Sequence, residues 1–241
     1  MCSSDLDRGP VSTETSPAPG GDAVQLSRAD LRDEALDWPV VSSTELASGA
    51  ITTYLEDVVQ PPQGPPVTRQ YLRHPGAVAV IALDDQERVA LVRQYRHPVR
   101  HRLVEPPAGL LDVTGEDFLV AAQRELAEEV GLSARDWRVL VDVFSSPGMA
   151  SEALRVYLAR DLLPADAPEG FLAEGEEAEM DIVWAALADL VDAVLAGDVS
   201  NPSLVSGVLA AAVAQSRSGV DELRPAHAPW PARSVLDRSA G

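Results

Sequence analysis

The chain has 241 residues, 46% hydrophobic and 24% charged, so it is long enough to bury the core of one domain and carry extensions. Its formal net charge of −19 at pH 7 argues against a nucleic-acid binder, because such proteins need a basic surface to neutralise phosphates. A single cysteine, Cys2, excludes an internal disulfide framework, and no apolar run has the length of a membrane span. We therefore expect a cytoplasmic protein without a membrane partner.

The first part of the chain divides into a polar segment and a β-rich segment. Residues 1–36 are rich in Ser, Pro, Gly and acidic residues, and we interpret them as disordered, with a short helical patch at 23–36. The runs AITTYLEDVV and VTRQYL then favour two strands, and the four prolines of QPPQGPP predict a stiff hairpin loop between them. We assign residues 37–74 to an N-terminal β extension.

Residues 75–217 carry the pattern of one α/β domain. Two strongly apolar runs, 76–83 and 88–96, flank the turn DDQE and predict two buried strands. Two further strands are predicted on either side of the loop SSPGMASE, and a run at 180–187 leads into a helix.

The end of the chain contains one well-delimited helix and a proline-rich segment. Asn201 is suited to cap that helix, and Pro202 to occupy its first position. After Gly219 the sequence RPAHAPWPARSV favours no regular element, so we predict an extended tail over residues 218–241.

The acidic segment Glu116–Leu132, EDFLVAAQRELAEEVGL, is the most informative part of the sequence. On a helical wheel, Glu125 and Glu129 are one turn apart on the face opposite the apolar residues, so both carboxylates can reach one cation. Hard oxygen ligands without His or Cys favour Mg²⁺ or Mn²⁺ over zinc. Acidic helix faces are more often only solvated surface, and the fixed order of the residues is what favours a metal site here. The other features of this helix are an Arg124–Glu128 pair one turn apart and a C-terminal cap at Gly131.

This order of residues resembles the signature of the Nudix hydrolases, which cleave a nucleoside diphosphate linked to another moiety. The matching residues are Glu116, Arg124, Glu125, Leu126, Glu128, Glu129, Gly131 and Leu132. Gly109 matches the first glycine of the signature, although six residues separate it from Glu116 where the usual pattern has five. The departure lies in the residues LLDVTG, so we expect an enlarged turn there.

The resemblance implies an α/β/α sandwich with a mixed sheet and a division of roles within the motif. It implies that the carboxylates of Glu125 and Glu129 coordinate the metal, together with the backbone carbonyl of Ala108. Bound divalent ions neutralise a diphosphate and lower the pKa of the attacking water. The remaining charged residues would orient or supplement these ligands: Arg124, Glu128 and, through the arginine, Glu116.

A second set of motifs resembles the Nudix members that hydrolyse ADP-ribose, over most of residues 40–217. Pro147 lies 16 residues after Gly131, where those members characteristically carry a proline, and the segments RHPGAV, QYRHP and EPPAG also match. By similarity, the substrate-binding residues are Arg69, Arg73 and Arg96 at the phosphates or ribose, and Ser146, Pro147, Gly148 and Glu152 at the terminal ribose and adenosine.

Each of these residues also has a plain structural interpretation. Pro147 and Gly148 form a strong turn signal in any protein, and an arginine at a strand end, such as Arg96, is more often solvated surface. Glu152 is equally placed to begin the next strand. Their occurrence together favours a binding site, because arginine forks bind phosphate oxygens well.

The general base is expected in the acidic loop that precedes Met180, since ADP-ribose members use a glutamate from the equivalent loop. Glu176 and Glu177 fit this role best by their distance from Met180. The alternative is that the loop is only solvated surface.

The leading hypothesis is Mg²⁺-dependent hydrolysis of ADP-ribose to AMP and ribose 5-phosphate. One alternative is a Nudix hydrolase for another nucleoside diphosphate derivative, such as NADH, FAD or a nucleotide sugar. Another is a non-catalytic ADP-ribose-sensing module, which the complete set of carboxylates argues against. Because Trp38–Tyr71 resembles the extension that exchanges between subunits in this subgroup, we expect a homodimer in which Arg69 and Arg73 serve the partner's site.

Overall fold

The structure is a computed structural model that describes residues 26–166, 180–217 and 219–239. The disorder predicted for residues 1–25 and the predicted base, Glu176 or Glu177, lie outside the described residues.

The chain divides into two units, Met1–Leu36 and Asp37–Gly241. In the first unit, the described residues 26–36 are exposed and form a turn instead of the predicted helical patch. The Ser27 hydroxyl donates to the Asp30 carboxylate at 2.5 Å, and such local side-chain bonds compete with a helix.

The second unit begins with a three-stranded antiparallel sheet. Its strands are β1 (Val40–Ser48), β2 (Thr53–Val59) and β3 (Val67–Arg73), in the order β1-β2-β3. The predicted hairpin of β2 and β3 is confirmed, but β1 was not predicted. Its sequence VVSSTELAS is exposed along its whole length, so its side chains give no alternation of buried and exposed positions. Backbone pairing with β2 holds it in the sheet.

An eight-stranded sheet forms the centre of the second unit. Its strands are β4 (Ala77–Leu83), β5 (Arg88–Arg96), β6 (His101–Glu105), β7 (Ala108–Leu110), β8 (Leu132–Phe144), β9 (Ala153–Pro164), β10 (Asp181–Ala186) and β11 (Arg224–Pro225). The main path runs β10-β5-β4-β9-β8-β11, with β6 paired to β5 and β7 paired to β4. Among the described strands, β4 and β9 pair in parallel and the other pairs are antiparallel, so the sheet is mixed, as predicted.

Helices cover both faces of the central sheet. They are α1 (Phe118–Val130), α2 (Leu187–Ala196), α3 (Pro202–Arg217) and α4 (Pro231–Ser239). Along β4, Val78 and Val80 pack in the core that contains α1, whereas Ala79 and Ile81 pack in the core that contains α2 and α3. This alternation gives the α/β/α sandwich that the sequence predicted. Within the described residues, none of the helices is long and apolar enough to cross a membrane.

Both ends of α1 are fixed by local hydrogen bonds. The Asp117 side chain accepts from the Leu119 N–H at the first turn. Gly131 follows the last turn with a φ of 64°, a left-handed conformation that glycine adopts without strain, and its N–H bonds to the Ala127 carbonyl. The cap predicted at Gly131 is therefore confirmed.

The prediction of an extended C-terminal tail is wrong for the described residues 219–239. A 3₁₀ turn at Val220–Glu222 leads into β11, which pairs with β8, and α4 follows. This helix was not predicted because the surrounding sequence is rich in proline, which disfavours a helix interior. Pro231, however, occupies the first position of α4, where its missing N–H has no cost. Trp230, immediately before α4, is only 4% exposed and packs the segment onto the domain.

Candidate active site

Arg124 of α1 contacts three carboxylates, two on the same helix and one from Glu116, just before the helix begins. Its Nε and Nη2 donate to the two oxygens of Glu116 at 3.1 and 3.2 Å, and its Nη1 donates to Glu125 at 2.6 Å and to Glu128 at 2.9 Å. Hydrogen bonding to Glu116 is the largest cause that raises the pKa of Arg124, with further contributions from Glu125 and Glu128. The predicted pair of Arg124 and Glu128 is present, and the guanidinium offsets the repulsion between the carboxylates.

The carboxylates of Glu125 and Glu129 reach from α1 to two consecutive residues of β7. Glu125 lies so close to Gly109 that a Cβ at position 109 would overlap its carboxylate. One turn along the helix, Glu129 Oε2 accepts from the Ala108 N–H at 3.0 Å. The sequence therefore places both acids at the junction of helix and strand. Glu129 is three residues from the buried Leu126, so the two acids flank the buried face of α1, and the predicted position opposite that face is wrong.

Glu125 and Glu129 have the chemistry of ligands for a hard divalent cation. Both are half-buried, both offer carboxylate oxygens, and they are one helical turn apart. Within the described part of the chain, no three His, Cys, Asp or Glu side chains converge as a complete metal site. Mg²⁺ is usually held by one or two carboxylates, with water and substrate phosphates completing its coordination. The residues present thus fit a divalent ion that the substrate helps to hold.

A cavity of about 410 Å³ lies between β3, the loop from β8 to β9, and α4. It brings together three of the residues predicted to bind substrate, namely Arg69, Pro147 and Gly148. Among the described residues, its lining consists of Arg69, Gln70, Tyr71, Phe144, Pro147, Gly148, Met149, Ala150, Ser151 and Leu236. The volume is in the range of small-molecule sites.

The other predicted substrate residues have different positions. The Ser146 carbonyl accepts from the N–H groups of Met149 and Ala150 at 3.0 and 2.9 Å, which shapes the loop that carries Pro147 and Gly148. Arg73 donates to the Thr53 hydroxyl at 3.4 Å within the N-terminal sheet. Neither Ser146 nor Arg73 lines the cavity.

Arg96 is held by an acid that the sequence did not single out. Its Nε and Nη2 donate to Glu105 at 3.0 and 2.7 Å, and Glu105 is only 1% exposed. Gln94 donates to the same carboxylate at 3.0 Å. Arg96 is therefore held in one position at the end of β5, whereas an arginine that is only solvated surface would have no buried partner. The signal for Glu105 was the motif EPPAG, whose first residue it is.

Glu152 is held from two sides, by Ser145 and by His74. The Ser145 hydroxyl donates to Glu152 Oε2, and His74 Nε2 lies 3.7 Å from Oε1. His74 Nδ1 accepts from the Gly76 N–H at 3.0 Å, so the neutral ring carries its proton on Nε2, facing Glu152. Burial lowers the pKa of His74, against the opposing effect of the Glu152 charge. His74 belongs to the motif RHPGAV, but its residue type alone did not indicate this contact.

Comparisons with known proteins agree with this geometry. Residues 73–204 match the model of the NUDIX domain. An ADP-ribose pyrophosphatase of Mycobacterium tuberculosis is 44% identical over 194 residues, which cover 80% of this chain and 91% of the relative. An ADP-ribose pyrophosphatase of Bacillus subtilis is 38% identical over 130 residues, covering 54% and 69%.

A solved structure has the same fold. It is a crystal structure of an ADP compounds hydrolase, with a TM-score of 0.62 and 24% sequence identity, covering 78% of this chain and 99% of that one. At that identity the likeness supports the Nudix sandwich, while the matching domain model and the relative from M. tuberculosis establish the family. The resemblance predicted from the motif is confirmed: this chain belongs to the Nudix hydrolase family.

Proposed function

We propose that this protein hydrolyses the diphosphate of ADP-ribose to AMP and ribose 5-phosphate, with Mg²⁺ as its metal and Mn²⁺ as a substitute. The observation that carries the proposal is the position of Glu125 and Glu129 across from Gly109 and Ala108. The relative named ADP-ribose pyrophosphatase, of which this chain covers 91%, supports the choice of substrate.

The chemistry of diphosphate hydrolysis matches what these residues supply. A divalent ion held by Glu125 and Glu129 would neutralise diphosphate oxygens and lower the pKa of a bound water. Arg124 keeps three acids of the motif in fixed positions, so that Glu125 does not need to reorganise when a cation arrives. Arg69, in the lining of the cavity, is suited to receive an anionic substrate in a protein whose net charge is −19.

The direct test is product analysis on a panel of diphosphates with Mg²⁺ and with chelator. ADP-ribose, NADH, FAD and a nucleotide sugar are compared at equal concentration, with AMP release measured by chromatography. We expect the highest kcat/KM on ADP-ribose and no release in chelator. Faster turnover of another derivative would mean that ADP-ribose is not the preferred substrate, although the reaction would still be diphosphate hydrolysis. Binding of ADP-ribose without cleavage in Mg²⁺ would favour the sensing module.

We further propose that Glu176 or Glu177 is the general base. The support is the sequence alone: both precede the strand that begins at Asp181 by a few residues, in an acidic loop. Glu176→Gln and Glu177→Gln are each compared with wild type at saturating substrate, where loss of a base lowers kcat by about 10²–10⁴-fold. If neither substitution lowers kcat appreciably, the base lies elsewhere.

A homodimer is the third part of the proposal, together with a cytoplasmic location. Val40, Val41 and Leu46 of β1 are 52%, 62% and 44% exposed, and β1 ends the order of its sheet, so a second subunit would cover an open edge and apolar surface. Sedimentation at micromolar concentration is expected to give twice the mass of 25.6 kDa. A monomeric mass would contradict the homodimer, and any role of Arg69 and Arg73 would then be confined to their own chain.

A further inference from the structure

The C-terminal segment Arg224–Leu236 is fastened to the domain by a buried arginine. Arg155 of β9 is 1% exposed; its Nε and Nη2 donate to the Asp142 carboxylate at 2.7 and 3.0 Å. The same guanidinium donates to the carbonyls of Ala228 and Pro229 at 2.8 and 3.1 Å. Burial is the largest single effect and lowers the pKa of Arg155, but the hydrogen bonds and charges of Asp142 and Tyr157 together outweigh it, and the pKa is raised. A permanently charged arginine thus holds two backbone carbonyls of the segment.

Trp230 joins this arginine to the start of the helix that carries the acids. Arg155 lies over the Trp230 ring at 4.7 Å, and the same ring meets Phe118, the first residue of α1, edge-on at 5.1 Å. His227 approaches Asp117, the cap of α1, at 3.9 Å. The segment therefore contacts α1 at the end that also contains its N-terminal cap.

Beyond Trp230, α4 reaches the cavity. Arg233 donates to the Pro75 carbonyl, just before β4, and Leu236 lines the same cavity as the loop that carries Pro147. The cavity that Leu236 lines is also bounded by the apolar or aromatic side chains of Tyr71, Phe144 and Met149, and Arg69 is the cationic side chain among its described lining residues. Such a lining suits a flat base attached to an anionic group.

We propose that the C-terminal segment is a working part of the active site: Leu236 is a specificity-determining wall of the cavity for the base of the nucleotide, and Trp230 is a positioning residue for α1. The choice of ligand rests on the proposed function. The segment touches α1 through Trp230 and the cavity through Leu236, so its docking fixes the distance between the acids and the bound nucleotide.

The role of Leu236 in the cavity is tested by replacing it with a larger side chain that reduces the space for the base. Leu236→Trp adds a ring on the cavity side, and Leu195→Trp makes the same change at a position of α2 that is 75% exposed. We expect Leu236→Trp to raise KM for ADP-ribose roughly fivefold or more while kcat stays within about twofold, and Leu195→Trp to change neither. An unchanged KM in an active Leu236→Trp enzyme would show that Leu236 does not bound the site of the base.

A binding measurement separates this inference from the proposed function. If wild type cleaves no diphosphate, the proposed function fails, and titration calorimetry with AMP in chelator still tests the cavity. We expect AMP to bind Leu236→Trp roughly fivefold or more weakly than Leu195→Trp. Equal affinities in the two variants would reject Leu236 as a wall whatever the activity.

The positioning role of Trp230 is tested by rescue. Trp230→Ala removes the ring between Arg155 and Phe118, whereas Trp230→Phe keeps a ring and removes an indole N–H that has no hydrogen-bond partner among the described residues. We expect kcat to fall about tenfold in Trp230→Ala and to recover in Trp230→Phe. Should Trp230→Ala not fold, Arg233→Ala still tests the docking of the segment, with an expected rise in KM. Wild-type kcat in folded Trp230→Ala would contradict the positioning role, and wild-type KM in Arg233→Ala would contradict the docking of α4 at the cavity.

Discussion

The carboxylate of Glu125 occupies the space in which a Cβ of residue 109 would lie. Gly109 is not among the glycines with positive φ, so its requirement for glycine is steric and does not come from its backbone conformation. Strand β7 and helix α1 approach each other at this point, and the missing side chain makes room for an acid of the candidate metal site. The first glycine of the motif therefore has a physical role in this chain.

Gly109→Ala is expected to displace Glu125 from the candidate metal site. We predict a loss in kcat of about 10²-fold, the size typical of removing one preorganised electrostatic group, and a rise in the Mg²⁺ concentration that gives half-maximal rate. Steady-state kinetics over a Mg²⁺ titration measures both. Gly49→Ala is the control, because its added Cβ would meet the Thr52 carbonyl at an ordinary 3.5 Å. A Gly109→Ala enzyme with the Mg²⁺ dependence of wild type would contradict this account.

Glu129→Gln separates a structural role from a metal role. The amide oxygen of glutamine can still accept from the Ala108 N–H, so the melting temperature should stay near that of wild type. Loss of the charge should weaken Mn²⁺ binding by at least about tenfold and lower turnover by about 10²-fold. Calorimetric titration with Mn²⁺ measures the affinity, with Glu45→Gln on the exposed strand β1 as control. Unchanged Mn²⁺ affinity in Glu129→Gln would remove it from the ligand set.

Arg124→Met is expected to lower stability in a way that Mg²⁺ partly restores. Without the guanidinium, Glu116, Glu125 and Glu128 face each other uncompensated, and we expect a loss of about 1–3 kcal/mol in the free energy of unfolding, since the site is partly solvent-screened. A divalent ion would replace some of the lost positive charge, so the loss should be smaller in Mg²⁺ than in chelator. Urea unfolding under both conditions is the measurement.

The matched control for Arg124 is Arg135→Met, at an arginine whose side chain is 67% exposed and lies 3.6 Å from Asp161. It should change stability little, with or without Mg²⁺. Equal losses in the two variants would mean that Arg124 is no more than a surface charge.

His74 is expected to make stability fall on the acid side of neutrality. Burial, and to a lesser degree Arg233, lower the pKa of His74 in the folded protein, while Glu152 opposes the shift. Below the unfolded pKa of about 6.5, the unfolded chain takes up a proton that the folded protein resists, so stability is lost as pH falls towards the folded pKa. His74→Asn keeps an acceptor for the Gly76 N–H but removes the titration, so it should lose less stability than wild type between pH 7.5 and 5.5.

Urea unfolding at those two pH values measures this difference. His97→Asn is the control, because His97 is exposed and its substitution should leave the pH dependence of wild type. The same loss in wild type and His74→Asn would show that His74 does not titrate as its burial requires.

The sequence predicted the parts of the fold whose side chains alternate or repeat regularly. The buried strands β4 and β5 and the helix α1 have strong periodicity, and Arg124 and Glu128 are one turn apart, so their pairing follows from helix geometry alone. Strand β1 could not be predicted in this way, because it is held by backbone hydrogen bonds and is exposed throughout.

The parts of the site that the sequence missed depend on contacts distant along the chain. Glu105 holds Arg96 across a strand pair, and His74, just after β3, meets Glu152, just before β9. The contact of Leu236 with the cavity depends on where Arg155 and Trp230 anchor the C-terminal segment. The proline-rich composition of that segment gave no indication that it would dock or contain a helix. A local sequence pattern cannot predict such pairs, because the separation of the two residues along the chain does not follow the period of a helix or a strand.

Metal-dependent hydrolysis of ADP-ribose is tested by a time course of purified protein with ADP-ribose, in which Mg²⁺ is removed by chelator and then restored. We expect equal amounts of AMP and ribose 5-phosphate in Mg²⁺, a halt in chelator, recovery when Mg²⁺ returns, and no release above background by a Glu125→Gln, Glu129→Gln double variant that still folds. Release of AMP that continues in chelator, or that survives in the double variant, would contradict this expectation.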